Sequence, residues 1–384
     1  MTSADAASAG LESAGRGWGI GDQPGREPLS AGSGKTSETP TTSGHSPRPA
    51  TIRDVATLAG VSHQTVSRFL KGYQGIRPAT RDRVAQALEA LDYRPNLTAR
   101  ALTTGRSNRI GALVQELSQF GPSQIVQGAA EAAGEAGLLL DIVPINMGDL
   151  NEVTRALAML REHDLAGIVA LASTDHMAEA LTAANFRVPA LLAGEADEPP
   201  RHSSELAGGG FTDLIDHLAT LGHRRLLHIG GPSTWSAARN RARAFQLALE
   251  DRGLESVGIT HGDWSARSGY DAIMALPHSL HFTAVVSAND QMALGAIHAL
   301  GSRGLRVPED ISVTGVDDVP DAPFYSPSLT TLHVDFIAQG RRAVDTLLAR
   351  IDGNEPSPLS TAASSHLVIR SSTGEVARAH HWPQ

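Results

Sequence analysis

The sequence predicts an α/β protein preceded by a small all-helical module. Three observations carry that prediction. From residue 108 onward, short apolar runs ("RIGALV", "AGIVAL", "VPALLAG", "RLLHIGG", "TAVVSAN", "ISVTGV") each precede a helix-like stretch, the pattern of parallel strands covered on both faces. Residues 51–94 instead show only short helical periodicities. Charge is also divided: the chain sums to -9, yet residues 51–109 hold ten Arg/Lys against four Asp/Glu. A small basic segment on an acidic body points to a polyanion partner for the small part alone.

Composition sets the outer limits. A length of 384 residues implies more than one domain. The absence of cysteine excludes disulfides and thiolate metal sites, and agrees with a reducing cytoplasm. The longest apolar runs, such as "GLLLDIV", fall short of the ~20 residues of a membrane helix. No basic start followed by an apolar stretch opens the chain, so no secretory signal is read. The expectation is a cytoplasmic protein with no membrane contact. Residues 1–50 are rich in Gly, Ser, Thr, Pro and Ala without periodicity, which predicts a disordered extension. Its "SAGSGKTSE" is not a phosphate loop, because Leu29 stands where the first glycine is required.

The helical module begins at "TIRDVATLAG". Thr51 can cap a helix whose inner face is Ile52, Val55, Ala56 and Ala59, and Gly60 can make the sharp turn after it. A second helix runs from about Ser62, its N-cap, to Leu70. In "RPATRDRVAQALEALDY", Val84, Leu88 and Leu91 mark a third. Three short helices with a tight first turn describe a helix-turn-helix unit over 51–94. In "GVSHQTVSRFLKG", Val61, Val66 and Leu70 face inward while His63, Gln64, Ser67 and Arg68 face outward. Gln suits an adenine edge and Arg a guanine edge, and the major groove accepts a helix carrying them.

In the core, about 265 residues fit two lobes better than one. Ligands of open parallel sheets lie at the carboxyl ends of strands. Asn289 ends one such run and Asp317 another. With Arg241 in "AARNRARAF" and Trp264 in "GDWSARSG", they fit a sugar, whose hydroxyls take carboxylate, guanidinium and amide bonds and whose apolar side takes a ring. Catalysis is not expected. The only His clusters, "HGD" at 261–263 and "HH" at 380–381, lack metal-ligand spacing, and no paired carboxylates or nucleophile elbow stand out.

"TIRDVATLAGVSHQTVSRFLKG" followed by "TRDRVAQALEALDYRPNLTARAL" resembles the DNA-binding headpiece of the lactose-repressor (LacI/GalR) family of transcription regulators. The likeness continues through "FGPSQIV", "SANDQMALGAIHALGSRGLRVPEDISVTGVDD", "SPSLTTLHVDF" and "LVIRSST", covering residues 51–373. It implies a two-lobed, periplasmic-binding-protein-like (type I) core over 108–373, crossed first near residue 205 and again at "SPSLTTLHVDF". It implies headpiece contacts to a palindromic operator by Thr51, Ser62, His63, Gln64, Thr65, Ser67 and Arg68. Residues 95–107 match a hinge helix with Asn96 and Ala99 at the DNA and Leu102 wedged into the minor groove. Effector contacts follow at Arg241, Trp264, Asn289, Asp317 and Phe336, and at Gly121, Pro122 and Ile125 on the other lobe. Gly194 and Val334 depart from the family's eponymous member, which has an acidic and a polar contact there; a galactoside is one candidate effector.

The implied function is a non-enzymatic repressor released by a small sugar, though some relatives use a corepressor instead. No cofactor or metal is implied. The tail, 374–384, shows no leucine seam, so the expectation is a homodimer that does not become a tetramer. Its contact is expected along helices such as "SQIVQGAAEAAGEAG", whose alanines and glycines permit close approach.

Overall fold

The computed structural model describes residues 50–70, 72–93, 107–145, 150–171, 175–193, 210–354 and 365–376. The expectations placed on residues 1–49, on Asn96, Ala99 and Leu102 of the hinge, on Gly194, on the first crossover near 205 and on the tail beyond 376 lie outside the described residues. Two compact units divide the chain, one up to Arg94 and one from Pro95.

The first unit is three helices: α1 (Ile52–Ala59), α2 (His63–Leu70) and α3 (Pro78–Ala90). Thr51 and Asp54 form a reciprocal capping box: the Thr51 N–H donates to Asp54 Oδ2 at 2.8 Å and the Asp54 N–H to Thr51 Oγ1 at 3.4 Å. Gly60 ends α1 in the left-handed region, at φ 64°, which a side chain would resist. Ser62 Oγ accepts the Thr65 N–H at 3.2 Å and so caps α2. Val55, Ala56, Ala59, Val66, Val84 and Ala87 are buried together, with Leu88 and Leu91 packed at their margin. The innermost place on α3 thus goes to Ala87, one turn after Val84, rather than to Leu88.

The second unit has two lobes. Lobe 1 is built on β1 (Arg109–Gln115), β2 (Leu139–Ile145), β3 (Gly167–Leu171) and β4 (Ala190–Leu192). They are all parallel, in the order β2-β1-β3-β4. Its helices in chain order are α4 (Phe120–Glu135), α5 (Leu150–Glu162) and α6 (Asp175–Ala183). Side chains alternate along β1. Ile110, Ala112 and Val114 meet α4 on one face, and Leu113 meets α5 and α6 on the other. Burial on both faces is why this strand reads as an unbroken apolar run.

Lobe 2 follows with α7 (Phe211–Thr220), β5 (Arg225–Gly230), α8 (Ser236–Glu250), β6 (Glu255–His261), α9 (Ala266–Met274), β7 (Ala284–Ser287), α10 (Asp290–Ser302), β8 (Ser312–Asp317) and β9 (Thr330–Val334). The chain then makes α11 (Phe336–Ile351) and β10 (Ser365–Val368). The sheet order is β10-β9-β8-β7-β5-β6, parallel except for β10.

"SPSLTTLHVDF", read as a crossover, also contains β9, whose Leu332 and Val334 are buried in the lobe 2 core. The crossing itself comes directly after it. Helix α11 packs on lobe 1, where Ala343, Val344 and Leu347 join the cluster under α4. A Cβ on Gly128 would overlap the Ile337 carbonyl oxygen, and one on Gly340 the Ile125 carbonyl oxygen. The small residues of "SQIVQGAAEAAGEAG" therefore serve the α4–α11 packing within the chain. They do not by themselves mark a contact between chains. Among the described residues no helix is long and apolar enough to cross a membrane.

Candidate functional site

Two surfaces carry chemistry. On α2, His63, Gln64 and Arg68 are exposed, Thr65 and Ser67 half-buried, and Val66 sealed in the core. The helix is thus pinned by Val66 while its polar face stays open. Arg68 is steadied by Tyr73, whose ring lies 5.7 Å below its guanidinium carbon; the outward face of α2 alone would not have singled out that tyrosine. Thr51 and Ser62 spend their hydroxyls on the caps. Both caps present helix N-termini, whose N–H groups favour a phosphate.

The second surface is an open cleft between the lobes, with about 710 Å³ of space among its lining residues, open solvent included. All eight residues expected around an effector line it. From lobe 1 come Gly121, Pro122 and Ile125, in the first two turns of α4. From lobe 2 come Arg241 on α8, Trp264 before α9, Asn289 at the N-cap of α10 and Asp317 at the end of β8. Phe336 opens α11. Gly121 matters for space, because its Cβ would stand 3.1 Å from the Phe336 ring. Val334 lies elsewhere: it is buried in the lobe 2 core.

The polar centre of the cleft is an ion pair. Arg241 Nη1 donates to Asp317 Oδ1 at 3.3 Å and to the Ala288 carbonyl, and the side chains are 6% and 7% exposed. The Arg241 guanidinium carbon lies 5.6 Å from the centre of the Trp264 ring. A Cβ on Gly231 would overlap that ring, so the second glycine of "RLLHIGG" makes room for it. Behind Asp317 sits Asp290, fully buried, accepting from Thr331 Oγ1 at 2.5 Å and from the Val319 N–H at 2.8 Å. Burial, and then the neighbouring Asp317 charge, push its carboxyl well above the usual range. Trp264, Asp317 and Asp318 hold φ values of 73°, 112° and 54°. Non-glycine residues there are strained, and such strain concentrates at ligand sites.

Buried polar atoms remain unsatisfied here. Gln115 Oε1, Arg241 Nε and Trp264 Nε1 have no hydrogen-bond partner among the described residues. One acceptor and two donors on the lining of one cleft suit a polar ligand. The cleft also gathers residues that the motifs did not mark. Gln115, Gln119, Phe120, Trp235, Gln291 and Gln339 all line it. Gln115 ends β1 and was open to the same strand-end rule that found Asn289 and Asp317; the others carry no comparable mark. Among the described residues no group of three or more His, Asp or Glu is placed to hold a metal.

Comparison with known proteins bears on both surfaces. Residues 51–96 match the family described as "Bacterial regulatory proteins, lacI family", and residues 215–373 match "Periplasmic binding protein-like domain". The lactose operon repressor of Escherichia coli (strain K12) is 35% identical over 321 residues, spanning 82% of this chain and 89% of that protein. The HTH-type transcriptional repressor PurR of Aliivibrio fischeri (strain MJ11) is 32% identical over 334 residues, 84% of this chain and 98% of that protein. Among solved structures, a lac repressor dimer bound to operator and the anti-inducer ONPF superposes with a TM-score of 0.71. It is 34% identical, covering 85% of this chain and 100% of that one.

Proposed function

Because the chain belongs to the lacI family of bacterial regulatory proteins, we propose that it is a sequence-specific transcriptional repressor whose grip on a palindromic operator is set by a small sugar held between the core lobes. The observation that carries this is the open face of α2, where His63, Gln64 and Arg68 stand exposed on a helix locked by Val66. Gln64 and Arg68 read base edges; His63 shifts the preference at the first reading position; backbone N–H groups at the caps of α1 and α2 hold phosphates. A homodimer presents two such helices to the two half-sites. Asn96, Ala99 and Leu102 complete the contact in the minor groove, with Leu102 as the wedge.

In the core, the sugar meets Arg241, Trp264, Asn289, Asp317 and Phe336, together with Gly121, Pro122 and Ile125. It favours one arrangement of the lobes, and the hinge segments transmit that preference to the DNA. Reciprocity requires operator and sugar to weaken each other by the same factor, typically ~5–150-fold. The protein acts in the cytoplasm and catalyses nothing. Selection of the full-length chain on a random-site DNA library tests this, followed by a gel shift of the selected site with and without sugars. Enrichment of an inverted repeat whose complex a sugar dissolves is the expected result. A chain that enriches no sequence would refute the proposal.

A further inference from the structure

Asp290 opens α10, directly after Asn289, yet it is not among the residues that line the cleft. Its carboxyl is buried against the sheet, where Gly315 of β8 and Thr331 of β9 pair in register. A Cβ on Gly315 would overlap Asp290 Oδ1, so the glycine of "ISVTGVDD" makes room for the carboxyl. There Oδ1 meets the Thr331 hydroxyl at 2.5 Å, and Oδ2 accepts the Val319 N–H at 2.8 Å.

The bond to Val319 matters most. Val319 follows directly on Asp317 and Asp318, which hold φ values of 112° and 54°. Backbone of that kind persists only where its surroundings enforce it, and Asp290 grips the first amide after it. On its other side Asp290 is joined by one peptide bond to Asn289. Asn289 Oδ1 accepts the Met292 N–H and its Nδ2 donates to the Trp264 carbonyl, both at 2.9 Å. Asp317, Asn289 and Trp264, three cleft residues on separate elements, are thus tied together through one buried side chain.

Charge decides the form in which Asp290 does this. Among the described residues no Arg, Lys or His bonds to it. The carboxylates near it are Asp317 and Asp318 in the turn. Arg241 is committed to Asp317, and Arg370 and His333 to Asp318. Also close is the Tyr325 phenol, itself pushed up to about 12, chiefly by burial and then by the charges of Asp290, Asp321 and Asp317. A buried carboxyl facing two others, with no cation of its own, keeps its proton. The α10 N-terminus favours the anion, but that pull is smaller than the cost of desolvating a charge. Neutrality preserves both bonds, because a protonated carboxyl donates as well as accepts and a threonine hydroxyl does the same.

We infer that Asp290 is a positioning residue of the effector cleft, which as an uncharged carboxyl fastens the Asp317 turn to the Asn289 helix and leaves the negative charge facing Arg241 to Asp317. What the cleft binds rests on the sugar reading above. Ionisation of Asp290 would set a second negative charge behind Asp317 and push that carboxylate off its guanidinium partner.

Three measurements on the full-length chain test this. The infrared difference spectrum of wild type minus Asp290→Asn at pH 7 should contain the carbonyl stretch of a neutral carboxylic acid. Carboxylate bands alone would overturn the uncharged role. In protein labelled with 5-fluorotryptophan, the fluorine resonance missing from Trp264→Phe belongs to Trp264. Asp290→Ala should displace that resonance, and Asp290→Asn should return it. Calorimetry with glucose, galactose, lactose and cellobiose should follow the same order. Each sugar that wild type binds should bind at least about tenfold more weakly to Asp290→Ala, and Asp290→Asn should recover most of that loss. A misfolded fraction alters the stoichiometry of such a titration but not its dissociation constant. Wild-type resonance and affinity in Asp290→Ala would overturn the positioning role, and an Asp290→Asn protein as impaired as Asp290→Ala would show that the charge is needed; both leave the sugar reading standing. If none of these sugars binds, that reading fails, and the two spectra alone decide whether Asp290 is neutral and holds the cleft in shape.

Discussion

Arg241 and Asp317 face each other at 3.3 Å with both side chains buried, on two elements that the sequence separates by more than seventy residues. Removing one partner strands the other. Asp317→Ala should abolish the sugar response and lower core stability by ~3–5 kcal/mol, because the guanidinium is left buried without its counter-ion. The double replacement Arg241→Met with Asp317→Leu should recover most of that stability in urea unfolding while calorimetry still finds no sugar binding. Sugar binding by either variant at wild-type affinity would place the site elsewhere.

Arg68→Ala should weaken operator binding by ~1–3 kcal/mol and relax the preference at one base pair of each half-site. Tyr73→Ala, which takes away the ring beneath Arg68, should weaken binding less and keep the same preference. Random-site selection with each variant distinguishes the two effects. An Arg68→Ala protein that selects the wild-type sequence would contradict base reading by that side chain.

Much of this was legible beforehand, for reasons that particular residues make plain. Strands β1, β3, β5, β7 and β8 could be read because both their faces are buried, leaving unbroken apolar runs. β4, an edge strand, could be read as well, because Ala190–Leu192 has no exposed position. β2 and β6 could not, since these edge strands carry exposed positions, Leu139 and Ile142 in one and Glu255 in the other. Asn289 and Asp317 were visible as polar residues closing apolar strands. Gln115 closes "RIGALVQ" in the same way, yet what sets it apart is a buried, unpaired oxygen, and that exists only once β1 is folded. Gly128 shows a different limit. Small residues at helical spacing reveal a close-packed face but not which element packs there, and here the partner comes from more than two hundred residues further along.

That packing can be tested directly. Gly128→Ala should cost ~1–3 kcal/mol, since its Cβ would overlap the Ile337 carbonyl oxygen and α11 would have to move. Gly134→Ala, on the same helix with open space around it, should instead stabilise by ~0.5–1 kcal/mol through helix propensity. Thermal unfolding of the pair, at matched concentration, reads both signs. Equal effects would mean that α4 and α11 do not touch at Gly128.

His228 gives a prediction in pH. Its ring is fully buried, stacked 4.8 Å from Phe245, with Nδ1 bonded to the Val286 carbonyl at 2.8 Å. Burial pushes its pKa from 6.5 down to about 4. Below pH 6.5 the unfolded chain takes up a proton that the folded one refuses, so the contribution of this group to stability falls as pH drops toward 4. Asp290 has the opposite slope over this window, because its raised pKa lets the folded state keep a proton that the unfolded state releases. The comparison is therefore with His228→Gln, in which Asp290 is unchanged. The deficit of that variant at pH 7 should shrink by up to about 3 kcal/mol by pH 4. A deficit constant across that range would show that His228 titrates normally in the folded protein.

The return of α11 to lobe 1 after β9 has a consequence for how the molecule can be taken apart. Lobe 1 is assembled from residues before 193 and residues 336–351, and lobe 2 takes its edge strand β10 from beyond them. No single cut of the chain releases either lobe whole. A nonsense codon anywhere after residue 193 and before 336 strips α4 of its helical neighbour and uncovers Val126 and Ala129, whatever it leaves of lobe 2. During synthesis the first sheet must wait, partly bare, until nearly the entire polypeptide has been made. Ribosome-released fragments of this protein should thus be ready substrates for chaperones and proteases, and a working core should be recoverable only from two co-expressed pieces that share the missing helix between them.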